Sequence, residues 1–155
     1  MKKLAKTLFE INKTISSCES FTGGLFASSL SSIPGISSVY KGSVISYSNE
    51  VKIDVLGINQ SLIDKYGVIS SQVAIEMALK TQQIMNTDIC ISFTGNAGPS
   101  SMENKERGKC FIAIVINSKV RVFDLSLEGT RNQIRRNAVK HGARMIIDIL
   151  GNISK

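Results

Sequence analysis

Apolar residues recur at helical spacing over positions 2–12, where Leu4, Leu8 and Ile11 fall on one face and predict an amphipathic helix. The period then changes. Positions 14–19 read as a short strand, and Thr22-Gly23-Gly24 opens a helix of small residues reaching position 32. Pro34-Gly35 marks a turn. Val39, Ser43, Val44, Ile45 and Tyr47 predict a strand over 38–48, followed by a short helix over 50–56 that stops at Gly57. A further helix is read over 61–66, and a longer one runs to position 85 with Ser70 as its N-cap.

The apolar run over 88–93 predicts a buried strand that ends in a glycine-rich loop beginning at Thr94. Positions 108–116 and 120–127 predict an antiparallel hairpin turning at Asn117-Ser118-Lys119. Ile134, Ala138, Met145 and Ile149 place an apolar stripe on a last helix over 130–150. Strands alternating with helices, plus one hairpin, predict an α/β fold. The expected form is a three-layer α/β/α domain with a mixed, mostly parallel sheet and one antiparallel hairpin. No repeat, low-complexity tract or linker interrupts the chain, so residues 1–155 are read as a single domain.

Composition narrows the chemistry. Nineteen Lys and Arg against twelve Asp and Glu give a net charge of +7, which favours an anionic partner such as a nucleic acid, a phosphorylated metabolite or a membrane surface. No aromatic-interleaved basic patch and no helix-turn-helix signature is present, so nucleic acid is not the expected partner. The basic stripe Arg131, Arg135, Arg136, Lys140 and Arg144 is read as mostly solvated. Cys18, Cys90 and Cys110 are far apart and unpaired, and read as small buried hydrophobes in a reducing compartment. The single histidine, His141, excludes a His-rich metal centre and is read as structural; no metal and no cofactor are expected. The longest apolar stretch, 110–116, is too short to cross a bilayer, and the basic start lacks the apolar run of a signal peptide. A cytoplasmic protein that does not engage a membrane is expected.

Two loops share one form, an apolar strand followed by Thr, Gly and Ser: Glu19 to Gly24 and Thr94 to Pro99. Ligands in open α/β sheets bind at the carboxyl ends of strands, where glycines let backbone N–H groups approach an anion. A third segment, Tyr47-Ser48-Asn49-Glu50-Val51-Lys52, puts Lys52 one helical turn past a strand end. With only one histidine available, a Ser–Lys pair is the most economical hydrolytic arrangement.

Taken together, E-S-F-T-G-G at 19–24, Y-S-N-E-V-K at 47–52, T-G-N-A-G-P at 94–99 and R-N-Q-I-R-R at 131–136 resemble the CinA C-terminal domain family. The resemblance spans nearly the whole chain, in a stand-alone form. It implies a nicotinamide-nucleotide amidase that turns nicotinamide mononucleotide into nicotinate mononucleotide and ammonia without a metal. Carried onto this sequence, Ser20 is the nucleophile, Lys52 the base that activates it, and Tyr47 a hydrogen-bonding group near the pair. Thr22, Gly23, Gly24, Asn49, Thr94, Gly95 and Gly98 form the expected substrate-binding set, with backbone N–H groups of 22–24 as oxyanion donors. Arg131 or Arg135 is expected to contact the 5′-phosphate. Phe21 stands where the family has cysteine, Asn96 where it often has isoleucine, and the segment 100–108 is poorer in glycine and proline. Two other readings stand beside the amidase: a family member that binds the nucleotide without turnover, and a basic nucleic-acid-binding protein. Self-association is compatible with so small a domain.

Overall fold

The structure, a computed structural model, describes residues 1–153. Its elements in chain order are α1 (Lys2–Ile11), β1 (Ile15–Glu19), α2 (Leu25–Ser31), β2 (Tyr40–Ile45), α3 (Gln60–Tyr66), α4 (Ser71–Met85), β3 (Ile89–Gly95), β4 (Lys109–Ile116), β5 (Lys119–Ser126) and α5 (Arg131–Ile153). The strands form one sheet in the order β2-β1-β3-β4-β5. β1 pairs in parallel with both β2 and β3, whereas β4 runs antiparallel to β3 and to β5. Four strands therefore point one way and β4 alone is reversed, the mixed, mostly parallel sheet that the alternation predicts.

Helices cover both faces. Leu4 and Leu8 of α1, Phe26 and Leu30 of α2, and Ile134, Ala138 and Ile146 of α5 pack on Ile15, Ile89, Ile91, Phe93, Ile112 and Ile114. Ile63 of α3 and Val73, Ala74 and Met77 of α4 cover the opposite face, against Cys18, Cys90, Ala113 and Val115. Alternation along β1 and β3 sends successive side chains to these two layers. Phe26 and Phe93 meet with ring centroids 5.5 Å apart in a tilted pair that locks α2 over the carboxyl end of β3. Ser70 caps α4 as expected, its hydroxyl accepting from Val73 N–H at 3.3 Å.

Four local readings change. α2 begins at Leu25 rather than at Thr22, because Gly23 and Gly24 hold left-handed backbone that no helix contains. β2 covers only Tyr40–Ile45; residues 36–38 form a 3₁₀ turn, and residues 46–48 leave the sheet. The helix expected over 50–56 is a single π turn, Val51–Val55, closed by Leu56 N–H donating to Val51 O at 3.2 Å. The hairpin turns on two residues, Asn117 and Ser118, both at positive φ, and Lys119 already belongs to β5. All three cysteines are buried, and burial pushes their thiols up, Cys110 to about 12. His141 is exposed on α5, not a packed structural group.

Candidate active site

β1, like β3 and β4, is paired on both sides, so its carboxyl end is held firmly in the sheet. Ser20 follows directly, half-buried, with its N–H donating to Phe93 O at 2.9 Å. The preceding Glu19 is fully buried, and its carboxylate accepts from Phe26 N–H (3.0 Å) and Ala27 N–H (2.8 Å), the free amides of the first turn of α2. Between strand and helix the chain reverses through Gly23 (φ 58°) and Gly24 (φ 88°), a conformation costly for any side chain. Gly23 N–H donates to Ser20 O at 3.0 Å and is committed to that turn. Among the described residues, no acceptor sits in hydrogen-bond geometry with the N–H of Thr22 or Gly24. The Thr22 hydroxyl is likewise buried without a partner.

Lys52 reaches this loop from the π turn. Its side chain is 1% exposed, and Nζ lies 3.2 Å from Ser20 Oγ, 2.7 Å from Ser46 O and 3.5 Å from Ser48 O. The wide π turn follows the strand end closely, with Lys52 N–H donating to Ser48 O, so that the side chain folds inward beneath residues 46–48. No carboxylate lies within ion-pairing distance of Lys52 among the described residues. Burial lowers its pKa from the ordinary lysine value. Cys18, Glu103 and Glu50 act in the opposite sense, but Cys18 is itself pushed up by burial and is a neutral thiol in neutral water. The balance is a buried amine whose pKa is lowered, beside a serine hydroxyl.

The remaining expected residues divide by what they touch. Tyr47 is 59% exposed, and its hydroxyl accepts from Arg131 Nη2 at 2.9 Å; its hydrogen bond goes to that arginine and not to Ser20 or Lys52. Arg131 also donates through Nη1 to Gly98 O, so one guanidinium ties the loop after β2 to the loop after β3. Arg135 turns its fork onto the serine loop: Nε donates to Phe21 O at 3.1 Å and Nη2 to Thr22 O at 2.7 Å. Asn49 is exposed at the start of the π turn.

Thr94 and Gly95 lie beneath the site. The Thr94 hydroxyl is buried and donates to Val68 O at 2.6 Å, and a Cβ at Gly95 would collide with Cys110 Cβ. Their polarity and smallness serve the packing of β3 against its neighbours. Gly98 N–H donates to Asn96 Oδ1 at 2.8 Å.

Two organising residues escape a reading from sequence. Asn96 Nδ2 donates to Ser100 O (2.8 Å) and Lys105 O (3.1 Å), so one amide holds the 96–108 segment that lacks the usual glycines and proline. Its appearance in place of an apolar residue was the available signal. Glu103 accepts from Val68 N–H and Ile69 N–H, both at 3.0 Å, and fastens the tip of that segment to the start of α4. Nothing local marks it, since its partners lie 34 and 35 positions away. A groove of about 610 Å³ runs between α1, α2 and α5, with Leu25, Val139 and Lys140 in its lining; neither Ser20 nor Lys52 borders it.

Comparison with known proteins gives a consistent answer. A family model described as the CinA C-terminal domain matches residues 1–150. A putative competence-damage inducible protein of Bacillus subtilis is 40% identical over 150 residues, covering 97% of this chain and 36% of its own length. One from Shouchella clausii is 44% identical over 138 residues, covering 88% of this chain and 33% of its own length. The chain thus spans about a third of these relatives. Among solved structures, the competence or damage-inducible protein from Enterobacter asburiae superposes with a TM-score of 0.93 at 25% identity, covering 96% of this chain and 94% of that one. The competence/damage inducible protein of Agrobacterium tumefaciens gives 0.91 at 27% identity, covering 97% and 92%.

Proposed function

The chain belongs to the CinA C-terminal domain family, and we propose that it is an amidohydrolase converting nicotinamide mononucleotide to nicotinate mononucleotide and ammonia through Ser20 and Lys52. One observation carries the reading: a buried amine without a carboxylate partner lies 3.2 Å from the hydroxyl of a serine 32 positions earlier. A neutral amine has two N–H groups and one lone pair. The carbonyls of Ser46 and Ser48 take the N–H groups, and the lone pair is left for the Ser20 proton.

The chemistry follows from that arrangement. Ser20 Oγ attacks the carboxamide carbon while its proton passes to Lys52 Nζ, and the carbonyl pair moves onto oxygen. Backbone N–H groups of the serine loop stabilise this oxyanion. The C–N bond then breaks, and ammonia leaves with the proton returned by Lys52. Water, deprotonated by Lys52, attacks the acyl ester and frees nicotinate mononucleotide, and the proton goes back to Ser20 Oγ. One amide and one water enter; one carboxylate and one ammonium leave. Arg131 and Asn49, exposed at this end of the sheet, supply polar groups where the nucleotide would lie, and the +7 charge of the chain favours an anionic substrate.

The test is ammonia release from nicotinamide mononucleotide by wild type, Ser20→Ala and Lys52→Ala. Turnover by wild type, lowered by about 10³-fold or more in each variant, is the expected result. Turnover that survives Ser20→Ala rejects the nucleophile. A silent wild type that still binds the nucleotide makes this chain a binding member of the family. Steeply salt-dependent DNA binding, insensitive to Ser20→Ala, would favour a nucleic-acid partner instead.

A further inference from the structure

We infer that Arg135 is a positioning residue for the oxyanion-stabilising amide of Thr22 and does not act as a ligand of the substrate phosphate. The inference rests on the amidase reading. Three edges of its guanidinium are already engaged: Nε with Phe21 O at 3.1 Å, Nη2 with Thr22 O at 2.7 Å, and Nη1 with Asn132 Oδ1 at 3.3 Å. Turning the guanidinium away to reach a phosphate would strand Phe21 O and leave Thr22 O with Leu25 N–H alone, at 3.2 Å, in the loop that carries the nucleophile.

Peptide geometry converts these contacts into a direction. In a trans peptide the C=O and the following N–H point opposite ways. Holding Phe21 C=O on α5 therefore aims Thr22 N–H away from α5. The next carbonyl, Thr22 C=O, is held by the same fork. Its partner N–H, on Gly23, closes the turn onto Ser20 O. One side chain thus grips two consecutive peptide planes, the second also held by Leu25 N–H on Thr22 O, and Thr22 N–H is the donor they leave uncommitted. The platform is rigid, because Ile134 and Ala138 on either side of Arg135 are fully buried in the core. Gly23 makes the approach feasible: a Cβ there would sit 3.3 Å from Arg135 Nη2, and at φ 58° a side chain would be strained as well. Lysine at 135 reaches one carbonyl at a time and cannot fix both planes.

The experiment compares wild type, Arg135→Lys and Arg135→Ala on nicotinamide mononucleotide and on nicotinamide riboside, which lacks the phosphate. A positioning role lowers kcat on both substrates, by about 10²-fold or more for Arg135→Ala, the loss seen when one oxyanion donor is removed. KM for the mononucleotide stays within about twofold, in keeping with loss of an interaction made only in the transition state. Arg135→Lys recovers part of kcat, and added guanidinium ion recovers part of it in Arg135→Ala. A KM for the mononucleotide that rises tenfold at unchanged kcat, with the riboside unaffected, would overturn the inference and make Arg135 a phosphate ligand. If wild type releases no ammonia from either compound, the amidase reading has failed by itself. Arg135 is then judged by the rate at which p-nitrophenyl acetate acylates Ser20. Slowing in both variants with rescue by guanidinium upholds it, whereas equal rates, or a wild type that is not acylated, overturn it. Should Arg135→Ala fail to fold by circular dichroism, the Arg135→Lys kcat and KM decide alone.

Discussion

Two charged side chains bracket β1 and meet opposite treatment. At the amino end, the Asp88 carboxylate accepts from Lys13 Nζ, Thr14 N–H and Thr14 hydroxyl, each at 2.8 Å. Burial alone would push this carboxyl up. The hydrogen bonds and the Lys13 charge outweigh it and bring the pKa down to about 2. At the carboxyl end, Lys52 is buried more deeply and is given only neutral oxygens. There desolvation wins, and the pKa of the amine is lowered. The same strand thus has one end where a charge is satisfied, which holds β1 and β3 together, and one end where a charge is withheld. A satisfied charge stabilises a fold but is a poor base. An unsatisfied one costs stability and is available for chemistry.

The contrast is broken most strongly at Lys52. Lys52→Met keeps an unbranched side chain up to the ε position and removes the buried amine. Ammonia release should fall by about 10³-fold or more, while the thermal midpoint rises, because about 1 kcal/mol or more of desolvation cost disappears. A variant that loses both activity and stability would mean that Lys52 is a structural prop. The pH profile sharpens the point. A base with a lowered pKa makes kcat rise with pH and level off below the ordinary lysine value of 10.5. Stability follows the same sign: between the folded pKa and 10.5 the unfolded chain binds the extra proton, so stability climbs with pH there, and Lys52→Met abolishes the climb.

At the other end the prediction reverses. Asp88→Asn should cost about 1–2 kcal/mol in urea denaturation and leave kcat within about twofold of wild type. The Asp88 contribution is present above its unfolded value of 3.8 and is lost as pH falls toward the folded value of about 2. About 1 kcal/mol, after solvent screening, should therefore vanish between pH 4 and 2 in wild type and not in Asp88→Asn. The smallest effect is expected in the 96–108 segment. Asn96→Ala frees the carbonyls of Ser100 and Lys105 and the buried Gly98 N–H, for a loss of about 1 kcal/mol. KM should rise a few-fold at constant kcat if the segment shapes substrate binding, and a fall in kcat would place it in the chemistry instead.

Much of this was legible before any coordinates. The switch from helical to strand periodicity located β1 and β3, and the glycines after each placed both loops at strand ends. The shortage of histidine suggested a Ser–Lys pair, and the family resemblance assigned it to Ser20 and Lys52. What stayed hidden depends on contacts far apart in sequence. Asp88 before an apolar run looks like a solvated strand end, since its partners Lys13 and Thr14 lie 74 positions or more away. Arg135 belongs to a basic stripe, and nothing in that stripe says which arginine folds back onto backbone carbonyls 113 positions earlier. Thr94 has the composition of a ligand loop, yet its hydroxyl is committed to Val68 O. The π turn was equally unreadable, because it differs from an α turn by one residue in each hydrogen-bonded ring.

The sheet order has a thermal consequence. Ser20 extends from β1, which is laced to neighbours on both sides, whereas Lys52 follows β2, an edge strand paired, among the described residues, with β1 alone. The two halves of the pair are therefore carried by segments of unequal tenacity. Edge segments open locally at lower free energy than the whole chain unfolds. Warming should separate amine from hydroxyl while the sheet and helices still register as folded, so that heat silences this protein before it melts it.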